Sequence, residues 1–147
     1  MTQATQTEPK PKRAKKAAAA DTSITAYKGM DKDMRCRGYQ FEVGKTFEHT
    51  GAVVACSSGF HSVEAPFDMF SYYPMRDGNR YFEVRASGAV ARHDEDSKIA
   101  SAVVHIEVEL RLPDIIKRGV AYILSVAKGN VAVSGHAAAT GDSGHAA

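Results

Sequence analysis

The chain has 147 residues, 44% of them apolar and 24% charged, the proportions of one globular domain and not of a collagenous, mostly disordered or membrane-embedded chain. It contains no run of about 18 apolar residues to span a bilayer, and its two cysteines are too few for a disulfide framework, so a soluble protein of a reducing cytoplasm is expected. The net charge of +2 divides unevenly: residues 1–20 hold five basic residues and one acidic, and residues 21–147 hold fourteen basic and sixteen acidic.

Residues 1–22 are the first unit. Lys10, Lys12, Arg13, Lys15 and Lys16 stand among prolines and before an alanine run; such a stretch has almost no apolar surface to bury and predicts a disordered basic tail. Five cations on a mobile arm would give nucleic-acid affinity that is salt-sensitive and blind to sequence. These five are the candidate nucleic-acid-binding residues.

Residues 23–129 have the texture of a small α+β domain. Ile24 to Lys28 alternates as a short strand that ends at Gly29, and Tyr39, Phe41 and Val43 alternate with Gln40 and Glu42, which places three apolar side chains on one face of a second strand. Phe47 begins a short extended piece. Ala52 to Cys56 is an apolar run closed by Ser57-Ser58-Gly59, and Phe60 to Ser62 is a brief strand. Pro66 suits the first turn of a helix, with Phe67, Met69, Phe70 and Tyr73 on its apolar face until Pro74 stops it.

Asp77-Gly78-Asn79 is a turn, and Tyr81, Phe82 and Val84 read as a strand ending at Ser87-Gly88. Val103 to Leu112 is the clearest strand: Val104, Ile106, Val108 and Leu110 alternate with His105, Glu107, Glu109 and Arg111, so one face is apolar and the other ionic. Pro113-Asp114 opens an amphipathic helix in which Ile115, Ile116, Val120, Ile123, Leu124 and Ala127 recur at helical spacing, ended by Lys128-Gly129. The fold class expected is therefore α+β: a small mixed, mainly antiparallel sheet with one short aromatic helix and one C-terminal amphipathic helix, behind a disordered basic tail.

Residues 130–147 are the third unit. Ser134-Gly135-His136-Ala137-Ala138 returns nine positions later as Ser143-Gly144-His145-Ala146-Ala147. Small residues of this kind stack only when neighbouring repeats cover them, so the segment predicts a flexible end, or a homo-oligomer if other chains supply the neighbours.

Three constellations bear on chemistry. His93-Asp94-Glu95-Asp96 gathers four potential ligands, yet successive residues of an extended chain point to opposite sides, so a solvated loop and no metal site is expected. Cys36 and Cys56 lack the spacing of a zinc site. Cys56 lies five residues before His61, which would suit a nucleophile and its base, although a small buried cysteine at a strand end is the simpler expectation.

The third is an order of elements. Tyr27-Lys28-Gly29 on the first strand, Ser62 on a middle strand, Tyr72-Tyr73 on the aromatic helix and Glu83 on a late strand resemble the arrangement of mono-ADP-ribosyltransferase-like domains. That resemblance implies NAD as cofactor and Lys28, Ser62, Tyr72 and Glu83 as the catalytic positions, with Lys28 where those families carry Arg or His. A nearer resemblance lies in Ile24 to Gly29, Cys36 to Gly44, Cys56-x-x-Gly59-Phe60-His61, Phe70 to Tyr73, Arg80-Tyr81-x-Glu83-Val84 and His93 to Ala100. These stretches are similar to a family of uncharacterised proteins of tailed bacteriophages and prophages, in which the domain is commonly followed by many Ala-Thr-Gly-Asp-x-Gly repeats. It implies no activity and no cofactor. The function expected first is an accessory protein that binds a host or virion protein, in the bacterial host's cytoplasm or on the virion, with the countering of host defence as one such role; an NAD-binding transferase and a nucleic-acid-binding arm are the alternatives.

Overall fold

A computed structural model describes residues 22–142, with side chains described through Asn130. The basic arm at Lys10, Lys12, Arg13, Lys15 and Lys16 lies outside the described residues, as does the whole second copy of the repeat, Ser143 to Ala147. In chain order the elements are β1 (Ile24–Met30), β2 (Arg35–Cys36), β3 (Tyr39–Gln40), β4 (Thr46–Glu48), β5 (Phe60–Val63), a 3-10 turn (Pro66–Asp68), α1 (Met69–Tyr72), β6 (Arg80–Arg92), β7 (Lys98–Leu110) and α2 (Leu112–Asp142). The fold is α+β with a mainly antiparallel sheet. No helix of the described residues is long and apolar enough to cross a membrane.

The sheet closes on itself. β1 pairs β6 along its whole length, from Ile24↔Ala86 to Met30↔Arg80, and β6 pairs β7 from Tyr81↔Leu110 to Arg92↔Ile99. The other edge of β7 takes β5 at Lys98 to Ser101 and β4 at Val103 to His105. β5 returns to β1 at a single register pair, Tyr27↔Val63. β2 and β3 form a separate small ribbon.

Inside the closed sheet lies the larger core, with Met30, Phe41, Phe60, Phe82, Ile99 and Ile106 among its members. Outside it, Val63, Met69, Tyr81, Leu110 and Ile115 form a second core beneath the helices. Two glycines set how closely the helical layer approaches. A Cβ on Gly119 would stand 2.3 Å from the Phe67 ring, and one on Gly29 would stand 2.7 Å from Tyr73, so only a residue without a side chain fits at either contact. Asp68 fastens the 3-10 turn to the start of β7 by accepting the Ser97 hydroxyl at 2.5 Å, and the Tyr81 hydroxyl donates to the Tyr73 carbonyl at 2.7 Å.

Several expectations need correction. The second expected strand shrinks to Tyr39–Gln40: Phe41 is buried, but Tyr39 and Val43 are exposed. Ala52 to Cys56 forms only an isolated bridge, Val54↔Ser58, and Cys56 is exposed in a left-handed conformation at φ 63° and not buried at a strand end. Val108 leaves the apolar face of β7. The pairing steps from Glu83↔Val108 to Val84↔Ile106, so one extra β7 residue is taken up in a bulge, which turns the following side chains over; Val108 is 44% exposed while Ile106 is fully buried.

The last helix is amphipathic but docks by its opening turns only. Ile115 is buried, whereas Leu112, Ile116, Val120, Ile123 and Leu124 are 45–54% exposed. Its backbone also runs through Gly129 to Asp142, past the expected end. Gly129 is a C-cap only when the chain turns there into the left-handed conformation, and Gly129 is absent from the positive-φ glycines.

Candidate functional site

The site begins where β1 and β5 part. Beyond the Tyr27↔Val63 pair the two strands do not continue as partners; instead the Lys28 side chain bridges the gap, its Nζ donating to the His61 carbonyl at 2.6 Å. Alternation along β1 buries Ala26, Lys28 and Met30 toward the interior, which is why a lysine ends up only 4% exposed. Its Nζ also lies 3.6 Å from Cys36 Sγ and 5.1 Å from the centre of the Phe41 ring.

The gap opens into a cavity of about 220 Å³ lined by β1 at Tyr27, Lys28 and Gly29, by β5 at His61, Ser62 and Val63, by Met69, Tyr72 and Tyr73 of the helical layer, and by Cys36, Arg37 and Lys98. No carboxylate is among these residues. A second hollow of about 420 Å³ adjoins it through Lys28, Cys36, Arg37 and His61, and adds Tyr39, Phe41, Phe60, the Ser57-Ser58-Gly59 turn and, at its β4 side, the carboxylate of Glu48 with His49. The two share a cationic waist with aromatic rings on either side.

Electrostatics set the protonation states. Burial lowers the Lys28 pKa, with Arg37 adding to the effect and Cys36 opposing it. Burial, followed by repulsion from Arg37, Lys28 and Lys98, lowers His61 to about 4, so its imidazole is neutral at pH 7. His61 Nε2 and Ser62 Oγ are buried with no hydrogen-bond partner in the protein. Such groups carry a desolvation cost unless a ligand or water meets them, and both line the cavity. Burial also raises the Tyr73 pKa, with help from its hydrogen bond to Cys36.

Of the four positions implied by the transferase resemblance, the structure brings Lys28, Ser62 and Tyr72 to one cavity. Glu83 is elsewhere: on β6, opposite Tyr27, it accepts from Arg118 Nε of α2 at 2.5 Å. Sequence reasoning passed over Cys36, Arg37, His61 and Lys98 as partners in one site. The signal was thin. Arg37 sits at φ 52° in the β2–β3 turn, followed by Gly38 at φ 76°, and Cys36-Arg37-Gly38 was visible only as a motif.

The acidic loop lies between β6 and β7. His93 Nδ1 and Asp96 Oδ1 are 3.1 Å apart, the Tyr72 hydroxyl donates to Asp96, and Lys98 stacks over the Tyr72 ring with its Nζ 4.1 Å from the centre. Asp96 is thereby held below the usual carboxylate range, first by the Tyr72 hydrogen bond. The described residues contain no group of three or more His, Cys, Asp or Glu arranged to hold a metal ion. Cys56 is 3.7 Å from Lys98 Nζ.

Residues 24–118 match the family described as Domain of unknown function (DUF7666). No curated protein and no solved structure matches the chain.

Proposed function

We propose, for a chain that belongs to the DUF7666 family, that the domain binds a phosphate-bearing ligand of the dinucleotide kind in the cleft where β1 and β5 part. The observation that carries this is the carboxylate-free cavity with Arg37 and Lys98 on its wall and Lys28 at its floor, joined at that waist to a second, aromatic hollow. Arg37 and Lys98 would hold the anionic centre of the ligand by charge-assisted hydrogen bonds. Tyr72 and Tyr73 face one lobe and Tyr39 and Phe60 the other, which suits a planar ring at each end. NAD has this form, and ADP-ribose shares its diphosphate and its adenine ring.

Transfer chemistry finds less support than binding. Glu83, the position a transferase would use, is engaged by Arg118 and does not line the cleft. Isothermal titration of the intact chain with NAD and with ADP-ribose is expected to show saturable binding, weakened at least tenfold in Arg37→Ala, since losing a hydrogen bond to a charged group costs about 1.5 kcal/mol or more. No saturable binding by either would overturn the reading. Nicotinamide release that vanishes in Glu83→Gln with the fold intact would restore the transferase in its place.

A second reading, contact with a protein partner as an accessory factor of a phage or prophage, is supported by the outer face of α2. Five large apolar side chains there stand about half exposed on one stripe, and contiguous apolar surface of this kind marks contact sites.

A further inference from the structure

Lys28 has an unusual set of neighbours for a buried cation. Its amine meets a carbonyl oxygen, a thiol and a ring face, and among the described residues no carboxylate pairs with it, every ion pair of the domain lying elsewhere. A charge removed from water without a counter-charge is expensive, and the group loses its proton instead. The surrounding charges act in different directions: Arg37 from the β2–β3 turn disfavours the ammonium, while Cys36 of β2 favours it. Lys98 of β7, neutral His61 of β5 and Tyr73 beside α1 complete the wall.

We propose that Lys28 is an imine-forming amine, and that the cleft takes a carbonyl compound bearing a phosphate or carboxylate group. This rests on the reading of the cleft as an anion site. A desolvated lysine beside a second cation is a recognised way to obtain a nucleophilic amine at neutral pH. The anionic group of the ligand sits against Arg37 and Lys98, which places its carbonyl in the 220 Å³ cavity facing Nζ. The amine nitrogen attacks the carbonyl carbon, forming the C–N bond as the oxygen takes a proton. The resulting carbinolamine loses that oxygen as water, the nitrogen gives up its proton, and the C=N bond remains. His61 Nε2 and Ser62 Oγ, both buried and unpartnered, are the groups available to pass protons between nitrogen and oxygen.

The test is borohydride trapping on the full chain with pyridoxal 5′-phosphate and, separately, pyruvate, followed by peptide mass spectrometry. Hydride reduces the imine to a stable secondary amine, so each labelled lysine is read by its mass shift. At pH 7 Lys28 is expected to label at least tenfold more than the exposed Lys32, Lys45 and Lys117, and to gain less than they do as the pH is raised. Lys28→Arg, in a protein that still melts cooperatively, should abolish that label while the exposed lysines keep theirs. Labelling of Lys28 no greater than that of the exposed lysines, in a protein that melts cooperatively, would overturn the proposal. If NAD or ADP-ribose still binds in that case, the imine falls and the cleft stands.

Discussion

Ile106 and Val108 are two positions apart on β7 and carry the same hydrophobic character, yet a charge at each has opposite consequences. Ile106→Asp would bury an unpaired carboxylate in the core inside the closed sheet, at a cost of several kcal/mol, and is expected to abolish the cooperative melt. Val108→Asp places it on a half-exposed surface and should change stability by less than about 1 kcal/mol. Equal damage from both in thermal denaturation would place Val108 inside. Period-two alternation made Ile106 legible in the sequence, but nothing in Val104 to Leu110 shows where the bulge falls, because a bulge is settled by how β6 and β7 meet and not by either strand alone.

His61 supplies a pH signature. Its pKa falls from an ordinary value near 6.5 to about 4 in the folded protein, so the unfolded chain binds a proton in that interval and the folded one does not. Stability is therefore full above pH 6.5 and declines as pH drops toward 4. Urea titrations from pH 7 to pH 4 are expected to show this decline, and His61→Gln should flatten it; an unchanged slope in that variant would assign the acid sensitivity to other groups.

At the scale of elements, the short helical layer is held by two close approaches. Gly119→Ala is expected to cost about 1–3 kcal/mol through overpacking against Phe67, with much of that recovered in the double variant Gly119→Ala/Phe67→Leu, whose smaller side chain vacates the clash. Chemical denaturation of the three proteins measures it, and additive losses would show that the ring does not limit the approach. The aromatic helix itself was readable from Pro66, Phe67, Met69 and Phe70, since proline, spacing and the stop at Pro74 are local signals. Which face of α2 is buried was not. Ile115 and Ile116 are equivalent in the sequence, and only the position of Phe67, Val63 and Leu110 decides that Ile115 goes in.

The same limit governed the site. Lys28, Ser62 and Tyr72 could be picked out by residue type and order, whereas Arg37 and Lys98 reach the cleft only because the β2–β3 ribbon and the start of β7 fold to its rim, a long-range arrangement that no local pattern encodes.

At the scale of the whole molecule, one closed sheet with a thin helical layer must bear the stability, and α2 carries an apolar stripe about half exposed among the described residues. Sedimentation velocity of the full chain is expected to show concentration-dependent association through that stripe, reduced in the double variant Ile116→Lys/Leu124→Lys without loss of the cooperative melt. A monomer at every concentration would remove self-association from the account. None of the stripe's residues lines the cleft, which opens where β1 and β5 separate.

Its role as a ligand site is tested most directly by titrating the isotopically labelled chain with NAD and following the backbone amide resonances. The expected result is saturable shifts at Gly29, Arg37, Ser62 and Lys98 with Ile123 and Leu124 unmoved. Shifts confined to residues 1–20, or none that saturate, would contradict it.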